Sequence, residues 1–387
     1  MKILYIVESS APYGANKCLI DIIDFIIRKG DKPFVVGSEG GPLADWLSER
    51  EVPFKSLGHK LSIYPRAKTI KDKVLFLPKL FVFRLINFVA LIKLIIICLY
   101  YKPDIIHTNI GPTVLGYWAS KLLKIKHVWH LREYQDLDFD MNFFPNKYVF
   151  KRLINKTDKV ICITNKISDH FSSPLNSDVI YDGVLEPNKD KISNNKNPYF
   201  LFVGRLEPTK GIEEVLDSFV HFCELGYLNY ELLIAGSGQE SYLQYLKHKV
   251  EHSPFQNQIK FLGFRNDVNE LMRSAKSLVV ASKCEGFGLI TAEAMFNGCI
   301  VIGRNSGGTS EILTNNSGKD FGLLFENNKE LTKCFIEVSE MTDEELFTMA
   351  SNAHDEAGKK YRLKSQHEKL YSIYENLTRY QDEKACF

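Results

Sequence analysis

The sequence lacks the cysteine patterns that indicate a metal site or a disulfide framework. Its eight cysteines are scattered, with no Cys-x-x-Cys pair and no Cys/His cluster at the spacing of zinc ligands. We interpret them as small hydrophobic residues in a reducing compartment. A signal-peptide pattern is also missing, because the apolar run Ile3 to Val7 has no basic region before it and no small-residue cleavage site after it. These absences predict a cytoplasmic protein.

The sequence also has no large excess of positive or negative charge. The chain has 49 Lys and Arg against 47 Asp and Glu, a formal net charge of +2. This balance argues against a nucleic-acid partner, which requires a strong basic surplus. What the sequence does have is an ordinary globular composition, with 45% hydrophobic and 25% charged residues. Its 387 residues exceed the roughly 250–300 that one hydrophobic core supports, so two domains are expected.

Strand-like apolar runs alternate with helix-length segments from one end to the other, a pattern typical of parallel sheets with helical crossovers. We therefore predict an α/β fold with two Rossmann-like domains. The predicted strands are 3–7, 32–36, 105–108, 128–131 and 160–164 in the first half, and 199–204, 231–235, 259–262, 277–281 and 300–303 in the second.

A polar stretch between two prolines, Pro187 and Pro198, separates the halves and has the composition of a linker. The predicted organisation is an N-terminal domain over 1–187, a linker over 188–198 and a C-terminal domain over 199–364. Apolar residues at helical spacing in 365–380 predict an amphipathic C-terminal helix, and we expect the segment 365–387 to pack back on the first domain.

The segment from Val203 to Gly211 lies between a predicted strand and a predicted helix. Open parallel sheets bind ligands just outside the carboxyl ends of their strands. Arg205 and Lys210 there, beside the N–H groups of a helix start, would suit a diphosphate. A solvated loop with two ordinary surface cations explains these residues equally well when they are considered alone.

A second strand-to-helix segment, 282–294, carries Glu285 and Glu293 around two glycines. We expect Glu285 in the loop and Glu293 in the first turn of the helix, where carboxylates can accept hydrogen bonds from paired sugar or ribose hydroxyls. The alternative for Glu293 is an acid that complements the helix dipole. A third glycine-rich loop, 305–311, follows on the same sheet edge, and three converging loops favour a ligand site.

These loops resemble those of retaining glycosyltransferases of the two-Rossmann (GT-B) architecture, specifically glycosyltransferase family 4. The resemblance covers essentially the whole chain and implies two domains that face each other across a cleft. It assigns Glu285 to the donor sugar hydroxyls and Glu293 to the nucleotide ribose. In the Gly-Arg-x4-Lys-Gly pattern it assigns Arg205 and Lys210 to the donor diphosphate. The other residues that it places at the donor are Gly204, Gly263, Phe264, Gly286, Phe287, Gly288 and Leu289.

In the N-terminal half the resemblance is looser. The segment Ser9 to Asn16 is similar to the first glycine-rich loop of the family, but only Gly14 is present where many members have two glycines. The segment around His130 resembles the family's histidine-containing cleft segment, which implies that His130 lies near the donor sugar. A buried histidine with ordinary hydrogen-bond partners is the competing interpretation. His107 is expected to be structural.

The resemblance implies metal-independent, retaining transfer of a hexose from a nucleotide sugar, with UDP favoured over GDP, to a glycan or lipid-linked acceptor in cell-surface polysaccharide biosynthesis. No cofactor other than the donor is implied, and no Asp-x-Asp cluster lies in a plausible donor site. A nicotinamide enzyme is disfavoured because Gly236 to Ser241 lacks the third glycine of the dinucleotide fingerprint and the acid about 20 residues further on. Another GT-B sugar-nucleotide enzyme, such as an epimerase, and a sugar-nucleotide-binding protein without activity remain open alternatives.

Positive charge is concentrated between Lys55 and Lys102, where ten Lys and Arg residues face one acid, Asp72, for a segment charge of +9. Apolar residues dominate 74–101 but are interrupted by three cations, which argues against a membrane span of ~20 uninterrupted apolar residues. We therefore predict a peripheral location at the inner face of the cytoplasmic membrane, with anionic lipid as a partner. The alternative for 80–101 is a crossover helix buried in the first domain.

Overall fold

The computed structural model describes residues 1–8, 14–66, 76–185, 192, 195–314 and 321–385. The chain forms two compact units. The first comprises Met1–Gly183 with Leu363–Phe387, and the second comprises Val184–Arg362. The end of the chain therefore belongs to the same unit as its beginning.

The first unit contains a seven-stranded parallel sheet whose strand order is β3-β2-β1-β5-β6-β8-β9. Its strands are β1 (Lys2–Ile6), β2 (Lys32–Gly37), β3 (Phe54–Ser56), β5 (Ile105–Thr108), β6 (Lys126–Leu131), β8 (Lys159–Cys162) and β9 (Ser177–Val179), and β4 (Ile63–Pro65) pairs separately with β7 (Met141–Phe143). Its helices are α1 (Ala15–Arg28), α2 (Pro42–Glu49), α3 (Phe76–Tyr101), α4 (Leu115–Leu123), α5 (Lys147–Ile154), α6 (Asn165–His170) and α14 (Leu363–Ala385).

The two faces of this sheet bury alternate residues of its strands, as the two-residue period of a strand requires. On one face Ile3 and Tyr5 of β1 pack in a cluster that includes residues of α1 and Tyr374 of α14. On the other face Leu4 and Ile6 pack in a cluster with α3 and α4. Helices therefore cover both faces, which makes the sheet doubly wound.

The second unit contains a six-stranded parallel sheet in the order β12-β11-β10-β13-β14-β15. Its strands are β10 (Asn197–Val203), β11 (Glu231–Ala235), β12 (Ile259–Gly263), β13 (Ala275–Val280), β14 (Ile300–Arg304) and β15 (Leu323–Phe325). Its helices are α7 (Ile212–Glu224), α8 (Glu240–Glu251), α9 (Val268–Ser274), α10 (Leu289–Phe296), α11 (Gly307–Leu313), α12 (Asn328–Glu340) and α13 (Asp343–Lys360). The core is rich in aromatic rings, with Phe200 of β10 packed against Phe219, Phe222 and Phe335.

Both sheets confirm the predicted α/β class, and each of the ten predicted strands has a counterpart. β10 begins at Asn197, so Asn197 and Pro198 belong to the sheet and not to the predicted linker. Residues 188–191, 193 and 194 of that linker lie outside the described residues. The sequence prediction missed the five described strands of three residues each, which are β3, β4, β7, β9 and β15, because so short a segment shows no clear period.

Candidate functional site

The strand order of the second unit fixes where a ligand can bind. The chain order reverses between β10 and β13, which lie side by side. In doubly wound sheets such a switch point opens a crevice outside the carboxyl ends of the two strands. Two of the three loops identified from the sequence, 204–211 and 281–288, leave the sheet at this point.

Glycines lie at the carboxyl ends of three adjacent strands, since Gly204 and Gly236 directly follow β10 and β11 and Gly263 is the last residue of β12. The amide of Gly204 donates to the carbonyl of Ala235 (3.1 Å), and the amide of Gly236 donates to the carbonyl of Gly263 (2.8 Å). A Cβ at Gly236 would lie 1.8 Å from the carbonyl oxygen of Gly204, so only glycine fits there. The sequence suggested Gly236 only as part of a degenerate dinucleotide motif, whereas its role in the fold is this close backbone approach. Phe264, directly after β12, is 73% exposed.

The loops after β10 and β13 are joined through their backbones. Gly211 has φ +71°, and a Cβ there would lie 2.2 Å from the carbonyl oxygen of Ala281. The amide of Lys283 donates to the carbonyl of Thr209 (3.1 Å). Gly211 also precedes α7, so the close contact brings the start of a helix against the end of the neighbouring strand. The position of Lys210 is therefore fixed by its neighbours on both sides.

Lys210 and Glu285 meet across the switch point. The Lys210 Nζ donates to Glu285 Oε1 at 2.7 Å, and the two side chains are 25% and 21% exposed. The structure thus brings together two residues that the sequence placed on separate loops. A cation and a carboxylate at one crevice can bind a phosphate oxygen and a sugar hydroxyl side by side.

Arg205 is not part of this contact. Its guanidinium pairs with Glu207 Oε1 at 3.2 Å, and its side chain is 54% exposed. An exposed pair of this kind contributes little to stability, typically about 0–1 kcal/mol. The guanidinium can therefore exchange Glu207 for another anion at low cost.

The third loop closes on the second. The amide of Gly308 donates to the carbonyl of Glu285 (2.7 Å), and a Cβ at Gly308 would lie 2.1 Å from the carbonyl oxygen of Phe287. Gly307 also approaches the Glu285 backbone closely, since a Cβ at Gly307 would lie 2.4 Å from the carbonyl oxygen of Glu285. The Ser306 hydroxyl adds a hydrogen bond to the carbonyl of Lys283 (2.8 Å). The predicted convergence of three loops is present in the structure.

One further residue that the sequence prediction missed ties this edge together. Arg304, the last residue of β14, donates through Nε to the carbonyl of Ala281 (3.2 Å), and its guanidinium pairs with Glu214 of α7. The signal in the sequence that could have identified it is an arginine at the end of an apolar run, directly before the third glycine-rich loop.

The expected place of Glu293 in the first turn of its helix is wrong. Gly288, with φ +96°, is the N-cap of α10, and the helix begins at Leu289 with no acid in its first turn. Glu293 is the fifth residue of that helix, one turn further along. The dipole effect is confined to the terminal turn, so the alternative explanation for Glu293 loses its basis.

In the first unit Gly14 has φ +45° and is the N-cap of α1, with nothing within 4 Å of a Cβ built on it. Residues 9–13 of the predicted glycine loop lie outside the described residues. His130 of β6 is buried, and its Nδ1 lies 3.3 Å from Nε2 of His107 on β5. His107 Nδ1 in turn lies 2.6 Å from the hydroxyl of Tyr374 on α14.

The two histidines of this buried chain of side chains are uncharged. Burial lowers the pKa of His107 and His130 well below the ordinary value, with Arg132 nearby as a second cause, so both imidazoles are neutral. Burial keeps the pKa of Tyr374 well above its ordinary value, and its hydroxyl retains the proton. If Tyr374 donates to His107, then His107 donates to His130 and the proton of His130 is on Nε2. That nitrogen is buried and has no hydrogen-bond partner among the described residues.

Arg132, two residues after His130, makes a buried ion pair with Asp182, in which its Nη1 lies 2.8 Å from both carboxylate oxygens. Gln366 of α14 donates to the same carboxylate (2.9 Å). The C-terminal helix therefore contributes two side chains, Gln366 and Tyr374, to the polar core of the first unit.

Comparison with known proteins relates both units to glycosyltransferases. Residues 13–184 match the family model described as glycosyltransferase family 4, and residues 186–355 match the model described as glycosyl transferases group 1. An uncharacterized glycosyltransferase of Methanocaldococcus jannaschii is 28% identical over 71% of this chain and 76% of its own length. The crystal structure of Anabaena HepE in complex with UDP superposes with a TM-score of 0.78 at 22% identity, covering 97% of this chain and 100% of that one.

The chain is a GT-B glycosyltransferase. A curated relative over most of its length is the UDP-Gal:alpha-D-GlcNAc-diphosphoundecaprenol alpha-1,3-galactosyltransferase of Escherichia coli, 24% identical over 88% of each chain. The family models divide the glycosyltransferase at residue 184–186, beside the division at Gly183 that the structure gives.

An acidic run in the first unit, Asp136, Asp138 and Asp140, has Asp-x-Asp spacing, but each carboxylate is engaged within the unit. Asp136 binds Lys147 and His170, both at 2.8 Å. Asp138 accepts from a backbone amide, and Asp140 pairs with an exposed arginine. In this glycosyltransferase the run stabilises the loop after β6.

Glu133 of the same loop carries a perturbed carboxyl. Burial, with Asp138 and Glu8 nearby, raises its pKa to about 7. Gln135 donates a hydrogen bond to it. The glycosyltransferase therefore holds an acid in its first unit that titrates near neutral pH.

Proposed function

We propose that the protein is a retaining, metal-independent glycosyltransferase of family 4 that transfers a hexose from a UDP-sugar to a glycan or lipid-linked acceptor in cell-surface polysaccharide biosynthesis. The observation that carries the proposal is the 2.7 Å contact between Lys210 and Glu285 across the switch point of the second unit. Its place of action in this proposal is the cytoplasmic face of the membrane.

The donor assignment follows from the chemistry of this contact. A UDP-sugar presents a diphosphate and vicinal hydroxyls next to each other, and Lys210 and Glu285 offer a cation and a hydrogen-bond acceptor next to each other. UDP is supported by the relatives, since structures of Anabaena HepE contain UDP and UDP-glucose. We assign Glu293, on α10, to the ribose and Arg205 to the diphosphate.

In the proposed mechanism Lys210 stabilises the negative charge that develops on the departing diphosphate. This effect is largest when the stabilising group, here the ammonium, is already in position before the reaction. The acceptor hydroxyl attacks from the face that the phosphate leaves, and a phosphate oxygen takes its proton. No protein nucleophile takes part. Glu285 orients the sugar while the bond breaks. His130 near the donor sugar stays a prediction.

The test is the stereochemistry of the product. The purified chain is incubated with UDP-sugars and a simple glycoside or lipid-linked acceptor, UDP release is followed, and the anomeric configuration of the product is read by proton NMR. An α-linked donor should give an α-linked product. A β-linked product would refute retention, release of UDP without a glycoside would indicate another reaction, and donor binding without turnover would indicate a binding protein.

A further inference from the structure

One face of α3 exposes a continuous apolar stripe. Its members recur every three or four residues and are 44–71% exposed. They are Phe81, Leu85, Phe88, Ile92, Ile96 and Leu99. At 3.6 residues per turn they fall within an arc of about 80°, and at 1.5 Å per residue they extend over about 27 Å. Scattered apolar residues are normal on a protein surface, but an aligned row of this length indicates an interaction site.

The opposite face of the helix is part of the core. Ala90, Leu94 and Cys98 are fully buried against β1, β5 and α4. The expected burial of residues 80–101 as a crossover helix is therefore correct for this inner face and wrong for the outer face. Residues 76–101 are long and apolar enough to cross a membrane, and 11% of their most apolar window is buried. The packed inner face ties the helix to the sheet along its C-terminal half, which favours an orientation in the membrane plane over a span.

Cations border the stripe on both sides. By the helical period Arg84 lies about 40° beyond one edge and Lys93 about 60° beyond the other, and both are exposed. The sequences of α3 and of the adjacent α4 contain no acidic residue. Long basic side chains beside an apolar stripe can bury their stems in it and keep their charges among lipid headgroups.

The neighbouring helix α4 extends the same chemistry. Trp118 and Leu122, one turn apart, are 45% and 63% exposed. Lys121 lies over the ring of Tyr117 on this helix. Tryptophan and lysine together are typical of the boundary between headgroups and acyl chains.

Pairing with a second copy of the chain is disfavoured by charge. A two-fold contact through α3 would bring Arg84 and Lys93 of both copies to one interface, with no carboxylate on α3 or α4 to pair with them. Like charges across an interface oppose association. Anionic lipid headgroups supply the missing negative charge over the whole length of the helix.

We infer that α3, with the exposed side of α4, is a monotopic membrane-binding surface that lies in the plane of an anionic bilayer and inserts its apolar stripe among the acyl chains. This surface belongs entirely to the first unit and rests on its geometry alone, independently of the donor site. It orients the enzyme at a lipid surface, where a lipid-linked acceptor is presented.

The experiment is flotation of the purified full chain with vesicles of phosphatidylcholine containing 30% phosphatidylglycerol, compared with phosphatidylcholine alone. The wild type should float with the anionic vesicles at low salt and less as salt rises. Phe88→Glu with Ile92→Glu should lower the apparent affinity at least tenfold. Leu175→Glu, which replaces a residue that is 98% exposed elsewhere in the same unit, is the matched control and should bind as wild type.

The depth of insertion is measured with lipids that carry brominated acyl chains. These lipids should quench the fluorescence of Trp118, and the fluorescence of a Trp118→Phe variant should not be quenched in the same way. The inference would be overturned if the Phe88→Glu/Ile92→Glu variant floated with anionic vesicles as well as the wild type does, or if the wild type bound no vesicle. Resistance to extraction at alkaline pH would indicate a span instead, and a dimer in solution that the variant abolishes would indicate a second copy. UDP binding, measured on the same variants, should be unchanged, so a failure here leaves the donor proposal intact.

Discussion

Replacing Lys210 tests the donor assignment most sharply, because its ammonium contacts Glu285 directly. Lys210→Ala and Lys210→Met should each lower kcat/KM for transfer by about 10²–10³-fold, which is the range for removing one preorganised stabiliser of a transition state. The methionine variant keeps the length and packing of the side chain, so a loss common to both variants is due to the charge.

Stability should change little by comparison. The pair is one quarter exposed and contributes about 1 kcal/mol at most, which corresponds to a shift in Tm of about 2–4 °C for a domain of 150–250 residues. A loss of transfer with a nearly unchanged Tm therefore separates a role in the reaction from a role in folding.

The assay is the initial rate of UDP release under kcat/KM conditions, with circular dichroism to confirm folding. Lys283→Ala is the control, since this exposed lysine lies on the neighbouring loop and its hydrogen bonds to Thr209 and Ser306 are made by its backbone. Near-wild-type turnover in both folded Lys210 variants would refute the assignment. Arg205→Ala should fall by the same order if its guanidinium leaves Glu207 for the diphosphate.

Three further predictions concern the carboxylates and the buried chain. Glu293→Ala should weaken both UDP and the UDP-sugar in calorimetric titrations, whereas Glu285→Ala should spare UDP and abolish sugar-dependent binding; the reverse order would mean that the roles are exchanged. Tyr374→Phe should lower the free energy of unfolding by about 1–3 kcal/mol, because His107 Nδ1 loses its buried partner; an unchanged denaturation midpoint would contradict this. The pKa of Glu133 is raised to about 7, against 4.5 in the unfolded chain, so the folded state is favoured by its protonated carboxyl below pH 4.5 and loses this contribution as pH rises through 7. Glu133→Gln should therefore flatten the fall in Tm between pH 5 and 8, and a pH profile identical to that of the wild type would refute the shift.

Much of the fold follows from the sequence, because each long strand is an apolar run that ends at a polar or glycine-containing loop. The sequence also places Lys210 and Glu285 correctly at strand ends. Their direct contact could not be predicted, since it joins residues 75 apart and depends on β10 and β13 lying side by side. The contact of Tyr374 with His107 spans 267 residues and requires the chain end to return to the first unit.

The orientation of α3 is the clearest case that periodicity could not decide. Apolar residues occur on every side of this helix, so the sequence pattern gives no preferred face. Small or compact residues such as Ala90 and Cys98 take the inner side, where the sheet is close, and larger ones such as Phe81 and Phe88 are left outside. The basic residues 68, 71 and 73, on which the membrane prediction also relied, lie outside the described residues.

The central claim is that a nucleotide sugar binds where Lys210 meets Glu285. The most direct measurement is a thermal-shift screen of the wild type and of a Lys210→Ala/Glu285→Ala double variant against a panel of nucleotide sugars, with NADH as the negative ligand. A ligand at 100 times its Kd stabilises the folded state by about 2.7 kcal/mol, enough for a clear rise in Tm. The account predicts that one or more UDP-sugars raise the Tm of the wild type and that the double variant loses this rise. A panel in which no nucleotide sugar shifts the wild type, or in which the double variant responds equally, would contradict it.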